Sequence, residues 1–436
     1  MFGWIAGGAN GTRTDGGEMY GDTRLYIGGN FKCNSNNSST AIGSGQARGG
    51  NIFGAGSGNS DATGDAATVG RVNNSTIVIA DNAEVERNVY GGGNYGYVRE
   101  GGSSNIHILG GTVGGGVFGG SNMQKGQSVS ITMRGGNVQG GVFGGSNTQG
   151  TVLGPVAISV TGGTVGVSES STANVHGGGF GNSTGVTGNI DIVIGHADSS
   201  ATQPTIYGDV YGGSAMGTVN GTAYSSGRHT LVAVNQGLIT GNGTTNTAKI
   251  KGDGSTNAQT FTATGSVYGG GLGITDSYAA NVYAGTVKVT VNGGTMNRTF
   301  GANNANGLPY GSVETEITGG TIGNVYGGGN AAPYGAQSNN TTPQVTMTGG
   351  TVLHDVFGGG LGANARVTRN TRVDIKGTSV VNGNVFGGGS EAEVGNSGAN
   401  HDTLVNILGG ARVDGNVYGG GNRAKVWGNT VVNVGE

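Results

Sequence analysis

Four charged residues come closest to the spacing of a catalytic pair. Glu314 and Glu316 are alternate residues, so a strand would place both carboxylates on one face, and Arg372 and Asp374 repeat that spacing. Enzymes that degrade polysaccharides need two carboxylates, or a carboxylate and a basic group, on one surface. Ion pairs across a solvated strand face would use the same residues. Because no single-copy feature marks an active site, we predict ion pairs, assign no catalytic residue and expect no enzymatic activity.

The histidines and the single cysteine show no metal-binding pattern. They are His107, His176, His196, His229, His354, His401 and Cys33. The histidines lack the paired or i, i+4 spacing of a zinc site, and one cysteine cannot form an intramolecular disulfide. The calcium-binding nonapeptide G-G-x-G-x-D is also excluded, because Asn, Ser or Ala stands where its Asp would recur. We therefore predict no bound metal.

The abundant glycine produces chance matches to nucleotide-binding motifs. Gly91-x-Gly93-x-x-Gly96 has the glycine spacing of a dinucleotide loop, but no strand–turn–helix pattern surrounds it. No segment matches the phosphate-loop pattern G-x-x-x-x-G-K-[ST]. We therefore predict no cofactor.

Charged residues are scarce. They make up 10% of the 436 residues, and 21 Lys and Arg against 24 Asp and Glu give a net charge of −3. This balance does not favour a polyanion or an anionic membrane, so we predict no nucleic-acid partner. No apolar run approaches the roughly 18 residues of a membrane-spanning helix, and no secretion signal is visible. The surface must be wetted mainly by Asn, Ser, Thr and glycine backbone.

A short tag recurs along nearly the whole chain: a β-branched residue, an aromatic residue, then glycines, as in Val89-Tyr90-Gly91-Gly92. Its aromatic positions are Phe53, Tyr90, Phe118, Phe143, Tyr211, Tyr268, Phe300, Tyr326, Phe357, Phe386 and Tyr418, and His176 occupies the same slot in a further copy. The mean spacing of about 33 residues is typical of a stacked array of small units. We expect the rings to stack as a ladder, and the Asn residues that follow several tags to stack beside it.

Alternating apolar and polar residues precede each tag, as in Val287–Val291. Alternation predicts a strand with one buried face, the glycine pair that follows permits a tight corner, and a third short segment comes after the tag. No helical period persists. The sequence therefore predicts an all-β fold, a parallel β-helix (β-solenoid) of about twelve coils. A β-propeller is disfavoured because its blades need about 40–45 residues.

The repeat suggests a division of the chain into two parts. Residues 1–49 are predicted to be a Gly/Asn-rich β segment with atypical first coils, and residues 50–436 to be the repeat domain. The polar stretch near 241–264 is predicted to be a surface insertion. Residues 429–436 resemble the first strand of another unit without a polar cap, which predicts either a longer parent protein or head-to-tail stacking into fibres.

Units such as Gly320-Thr321-Ile322-Gly323-Asn324-Val325-Tyr326-Gly327-Gly328-Gly329-Asn330 resemble the glycine-rich repeats of large bacterial surface proteins. Those proteins are frequent in gut Bacteroidota and are often described as adhesin-like or right-handed β-helix repeat proteins. The resemblance covers about residues 50–436. It implies a parallel β-helix at the cell surface or outside the cell.

We therefore expect a structural or adhesive protein, either a stalk or a filament subunit. One alternative is glycan or host-surface binding through the aromatic ladder and the rows of Asn and Thr. A variant of it is ice binding by regularly spaced threonines, including Thr295, Thr321 and Thr351. A polysaccharide-degrading enzyme is the least favoured alternative.

Overall fold

The computed structural model describes residues 4–9, 19–34, 49–56, 70–198, 200–241 and 264–435, together with two backbone strands between 242 and 263. Every regular element in these ranges is a β-strand, and none of them contains a helix. One sheet of 34 strands contains most of the elements, and its pairings are parallel. The predicted all-β class is confirmed, and the parallel pairing is consistent with a β-helix.

The longest strands form one parallel ladder, which we call the long-strand ladder. Its members are β2 (Thr23–Ile27), β5 (Ser75–Ile79), β8 (Ser103–Ile108), β11 (Ser128–Val138), β14 (Val156–Val165), β17 (Ile190–Ile194), β21 (Ser225–Val234), β26 (Ala284–Val291), β28 (Ser312–Ile317), β30 (Gln344–Met347), β33 (Thr371–Ile375), β36 (Thr403–Leu408) and β39 (Thr430–Gly435). Each pairs with the next in the series.

A second ladder, the short-strand ladder, follows the glycine corner. It contains β3 (Lys32–Cys33), β6 (Glu84–Val85), β9 (Thr112–Val113), the ends of β11 and β14, β18 (Thr205–Tyr207), β22 (Leu238–Thr240), the first residues of β27 (Thr295–Phe300) and β29 (Thr321–Tyr326), β31 (Thr351–Val352), β34 (Val380–Val381) and β37 (Arg412–Val413). The sequence pattern did not separate these strands from the tag, because only a few residues lie between the two.

The third ladder carries the tag, and we call it the tag-strand ladder. It contains β1 (Ile5–Ala6), β4 (Ile52–Phe53), β7 (Val89–Tyr90), β10 (Val117–Phe118), β12 (Val142–Phe143), β15 (Val175–His176), β19 (Val210–Tyr211), β25 (Ser266–Tyr268), the last residues of β27 and β29, β32 (Val356–Phe357), β35 (Val385–Phe386) and β38 (Val417–Tyr418). Every tag aromatic lies opposite the next one in register.

The segment after each tag forms smaller parallel pairings. They include β13 (Gln149–Val152), β16 (Ser183–Val186) and β20 (Thr218–Val219), with isolated bridges such as Val367 to Val394. Within the predicted insertion, only the backbones of β23 (Asn246–Lys249) and β24 (Ala258–Phe261) are described, and they pair antiparallel. The rest of residues 242–263 lies outside the described ranges.

The core is a column of aliphatic side chains from the inward positions of the long strands. Ile77, Ile106, Ile131, Ile158 and Ile192 lie opposite one another in successive strands and are at most 1% exposed. Burying each such side chain contributes about 1.5–3 kcal/mol. Parallel in-register pairing therefore places an aliphatic side chain of one strand against an aliphatic side chain of the next. This explains why each long strand repeats the same alternation of apolar and polar residues.

Glycine at the corner after the long strand has a geometric cause. Gly136 has a φ of 75°, and a Cβ at that position would lie 2.6 Å from the carbonyl oxygen of Gly110 in the neighbouring unit. A side chain would be strained by the backbone conformation and would also collide with the stacked chain. Glycine therefore recurs at this corner in most units, although Asp81 takes the left-handed conformation between β5 and β6, with a φ of 56°.

Candidate functional site

The tag aromatics form a continuous stack. Centroids of neighbouring rings from Phe53 to Tyr418 are 4.7–5.2 Å apart, and their planes differ by no more than 15°. His176 lies within the stack, 5.1 Å from Phe143 and 4.7 Å from Tyr211. We call this series of rings the aromatic ladder.

The aromatic ladder lies outside the aliphatic column but is covered. In most tags the residue before the ring is a valine that packs into the column, so the alternation of the strand turns the next ring to the other side. Residues after the tags pack over the rings, for example Leu272 and Leu361. All the rings from Phe53 to Phe386 are at most 7% exposed, and only Tyr418 is open to solvent, at 46%. Within the described residues the ladder therefore offers no extended exposed aromatic surface.

Two tyrosine hydroxyls in the ladder, those of Tyr90 and Tyr211, are bonded within the protein. The hydroxyl of Tyr90 accepts hydrogen bonds from Asn88 at 2.9 Å and Asn147 at 3.2 Å. The Tyr211 hydroxyl donates to Asp209 at 2.8 Å. Burial raises the pKa of Tyr90 to about 12 and also raises the pKa of the Asp209 carboxyl. These groups stabilise the ladder and are not presented to a ligand.

Asparagine amides that follow the tags form a second stack. The Asn122 side chain donates to that of Asn94 at 2.7 Å, and Asn147 donates to Asn122 at 2.9 Å. Asn330 donates in the same way to Asn304 at 2.8 Å. These bonds join the loops of neighbouring units side chain to side chain, as expected for stacked amides.

A further Asx row, which we did not predict, lies just before the tags. The side chains of Asn324, Asp355 and Asn384 each accept the backbone N–H of the equivalent residue in the next unit, at 3.1, 2.7 and 2.9 Å. The recurring Asn-Val-Phe/Tyr sequence was a signal for it. Each bond satisfies an amide that would otherwise lie unpaired at the corner.

Hydroxyls at the start of the long strands also bridge two sides of a unit. Thr371 donates to the carbonyl oxygen of Gly387 at 2.5 Å, and Ser75 donates to that of Gly91 at 2.5 Å. In both cases the acceptor is the first glycine after the tag aromatic. This glycine therefore contributes a carbonyl to the interior as well as a corner.

The charged residues singled out from the sequence do lie on one outer face of the long-strand ladder. Glu314 lies opposite Lys288, and Glu316 lies two strands from Asp374. The Lys288 ammonium is 2.6 Å from the Glu316 carboxylate, and Arg372 Nε is 2.8 Å from Asp374. Ion pairs therefore occupy most of this patch.

Asp374 is the most enclosed member of that patch. Its side chain is 7% exposed and accepts hydrogen bonds from Arg372 at 2.8 Å, Gln344 at 3.3 Å and Asn406 at 2.6 Å. A small pocket of about 190 Å³ lies beside Glu314 and Glu316. A carboxylate that is surrounded by three donors binds its neighbours and is poorly placed to act on a substrate.

The described part of the chain holds no cluster suited to a metal ion. Among the described residues, no group of three or more His, Cys, Asp or Glu side chains has the required proximity. Cys33 is fully buried opposite Val85 in the short-strand ladder, and burial raises the pKa of its thiol. It therefore packs as a small apolar side chain.

A wider groove lies where the long strands turn into the short ones. Its volume is about 550 Å³, and its lining includes Gln236, Thr205, Leu238, Thr295 and Thr321 but no charged side chain. We call it the corner groove. The sequence indicated Thr295 and Thr321 only as members of a repeated row and did not indicate Thr205.

Comparison of the chain with protein-family models, with curated proteins and with solved structures gives no match in any of the three. Among the described residues, no helix is long and apolar enough to cross a membrane. Function is therefore inferred from the geometry.

Proposed function

We propose that the chain is a parallel β-solenoid of about twelve coils that acts as a structural or adhesive rod at a bacterial surface or outside the cell. In this proposal, copies stack end to end into a filament. The observation that carries it is the parallel, in-register stacking of the strands, in which each strand repeats the inward row of the one before it, so that a second copy could continue the ladder. In β39, the last described strand of the long-strand ladder, the inward residues Val432 and Val434 are 40% and 73% exposed.

The residues at the two ends match row by row. In the ladder, Thr430, Val432 and Val434 continue the rows to which Thr23 and the inward residues of β2 belong. A second copy placed one step beyond β39 would lay β2 against it, with threonine facing threonine and aliphatic facing aliphatic. The exposed strand edge would then gain backbone hydrogen bonds, and the valines would leave water.

The tag-strand ladder supports the same placement. Tyr418 has one open ring face, and β1 carries Ala6 in the aromatic slot of the first tag strand. In an end-to-end stack Tyr418 of one copy would lie beside the small Ala6 of the next. The contact would be heterologous and would not close, so it would produce a filament.

A pair of adjacent substitutions tests this interface. Val432→Glu places a carboxylate in the inward row, where stacking would bury it, so we expect filaments to be lost. Val431→Glu changes the outward row of the same strand, which would face Arg24 of the next copy, so we expect filaments to persist. Negative-stain electron microscopy and light scattering over a range of concentrations measure the outcome.

Two results would contradict the filament proposal. One is a monodisperse monomer of the unmodified chain at high concentration. The other is equal loss of assembly in both variants, since the interface would then not use the inward row.

The proposal includes no catalytic activity. The strongest support is the pairing of Glu316 with Lys288 and of Asp374 with Arg372, which leaves few free groups for acid–base chemistry. Activity on a polysaccharide panel that disappears in a Glu316→Gln variant would overturn this part. An extracellular location is supported by the low charge and the neutral Asn- and Thr-rich surface.

A further inference from the structure

We propose that the corner groove binds a neutral oligosaccharide, a role that goes beyond the filament and does not depend on it. The groove lies along the short-strand ladder near the middle of the chain, away from β39 and β1. Its volume of about 550 Å³ is in the range of small-molecule sites.

The first observation is a row of unused hydroxyls. Thr205, Leu238, Thr295 and Thr321 follow one another in register along the short-strand ladder. All four are partly exposed and line the groove. Within the described residues, the hydroxyls of the three threonines make no hydrogen bond, so each is free to donate to and accept from a ligand.

The second observation is the chemistry of the remaining lining. Leu238 interrupts the threonine row with an apolar surface, Pro204 lies next to it, and the amide of Gln236 adds a donor and an acceptor. Without a charged side chain the lining gives no advantage to an anion or a cation. A sugar ring presents hydroxyls around its edge and an apolar face, so a neutral saccharide matches both kinds of contact.

The third observation is a wall beside the row, formed by described residues between β17 and β18. The side chain of Gln203 accepts a hydrogen bond from the amide of His196 at 3.0 Å. It also donates to the carbonyl oxygens of Asp198 at 2.9 Å and Ala201 at 3.0 Å. The other short-strand corners lack so long a loop; for example, β8 ends at Ile108 and β9 begins at Thr112. The groove is therefore a local feature of this part of the ladder.

The glycines of the corner complete the site. Gly237, Gly294 and Gly320 line the groove without side chains, so a ligand could lie close to the backbone. Because the row runs Thr205, Leu238, Thr295 and Thr321 on successive strands, an extended chain of sugar rings would meet a hydroxyl at three steps and the apolar Leu238 side chain at one. The arrangement favours an oligosaccharide over a single sugar.

Titration calorimetry with neutral gluco-, manno- and xylo-oligosaccharides tests the proposal, with oligogalacturonate as the charged comparison. The titrations use the Val432→Glu chain, so that assembly does not affect the signal. We expect at least one neutral oligosaccharide to bind, and Thr295→Val combined with Thr321→Val to weaken that binding about tenfold or more.

The matched control is Thr351→Val, in the same row and directly beyond Thr321 but outside the groove. It should bind as the parent does. Valine keeps the β-branched shape, and thermal unfolding of each variant shows that the fold is retained. The proposal is overturned if no neutral oligosaccharide binds at about millimolar concentration, if oligogalacturonate binds equally well, or if Thr351→Val is as damaging as the double variant.

Discussion

His176 is the one member of the aromatic ladder that titrates in the acidic range. It is fully buried between Phe143 and Tyr211, and burial lowers the pKa of its imidazole from 6.5 to about 3. Its Nδ1 atom has no hydrogen-bond partner within the described residues. The ring packs well as an aromatic but carries a polar atom that its slot does not satisfy.

The free energy of unfolding of the His176→Phe variant should therefore fall less on acidification than that of the parent. Between about pH 6.5 and pH 3 the unfolded chain binds a proton that the folded chain does not, so stability falls as pH falls, by ~1.4 kcal/mol per pH unit. On lowering the pH from about 7 to about 5, the free energy of unfolding of the variant should improve relative to the parent by about 2 kcal/mol. Chemical denaturation at both pH values measures this.

Tyr326→Phe is the control for that comparison. Burial raises the pKa of Tyr326 to about 12, so its hydroxyl does not titrate in this window. The variant and the parent should show the same pH dependence. If the His176→Phe variant shows the same pH dependence of stability as the parent, the prediction is wrong, because the imidazole would then be exposed to solvent and its pKa would not be lowered by burial.

At the scale of the element, the corner after the long strand is constrained both by its backbone conformation and by a close neighbouring chain. Gly410 has a φ of 82°, and a Cβ there would lie 2.7 Å from the carbonyl oxygen of Gly377. The preceding Gly409 has no atom within 4 Å of its hypothetical Cβ. Gly410 is therefore constrained by its left-handed backbone and by a nearby oxygen atom, whereas a side chain at Gly409 would meet open space.

We expect Gly410→Ala to destabilise the fold by at least about 1–2 kcal/mol, because an L-residue resists the left-handed region and the methyl group meets a backbone oxygen. Gly409→Ala should change the free energy of unfolding by much less. Thermal and denaturant unfolding of both variants provide the measurement. Equal effects would show that the corner relaxes and that stacking does not constrain it.

The sequence predicts much of this element and misses part of it. The Val287–Val291 alternation and the Val-Tyr-Gly tag predict strand type, inward faces and the position of the corner, because each depends on local periodicity. The separate short strand and the Asx row of Asn384 and Asp355 depend on what the next unit supplies, which alternation does not encode. The corner groove depends on residues of a long loop, such as Gln203, lying beside the ladder, and no local sequence pattern predicts that placement.

At the scale of the whole molecule, stability should be distributed along the stack. Each strand pairs only with its neighbours in the ladder, so a break at one end does not require a break in the middle. Val289 and Val313, in the middle, are fully buried, whereas Val434 in β39 is 73% exposed.

Hydrogen exchange should therefore be slowest in β26 and β28 and fastest in β39 for the monomeric Val432→Glu chain. The same measurement on filaments of the unmodified chain should show β39 protected, because its open edge would be paired. Uniform exchange along the monomer would indicate that the molecule unfolds as one cooperative unit.

The near-constant step of the aromatic ladder, 4.7–5.2 Å between neighbouring centroids, has a consequence for how such a chain changes over generations. Duplication or loss of one repeat in the gene would lengthen or shorten the ladder by one step and create no type of contact that the ladder does not already contain. The length of the ladder would thus change by one repeat at a time, and each added repeat would fold through contacts of the same kinds.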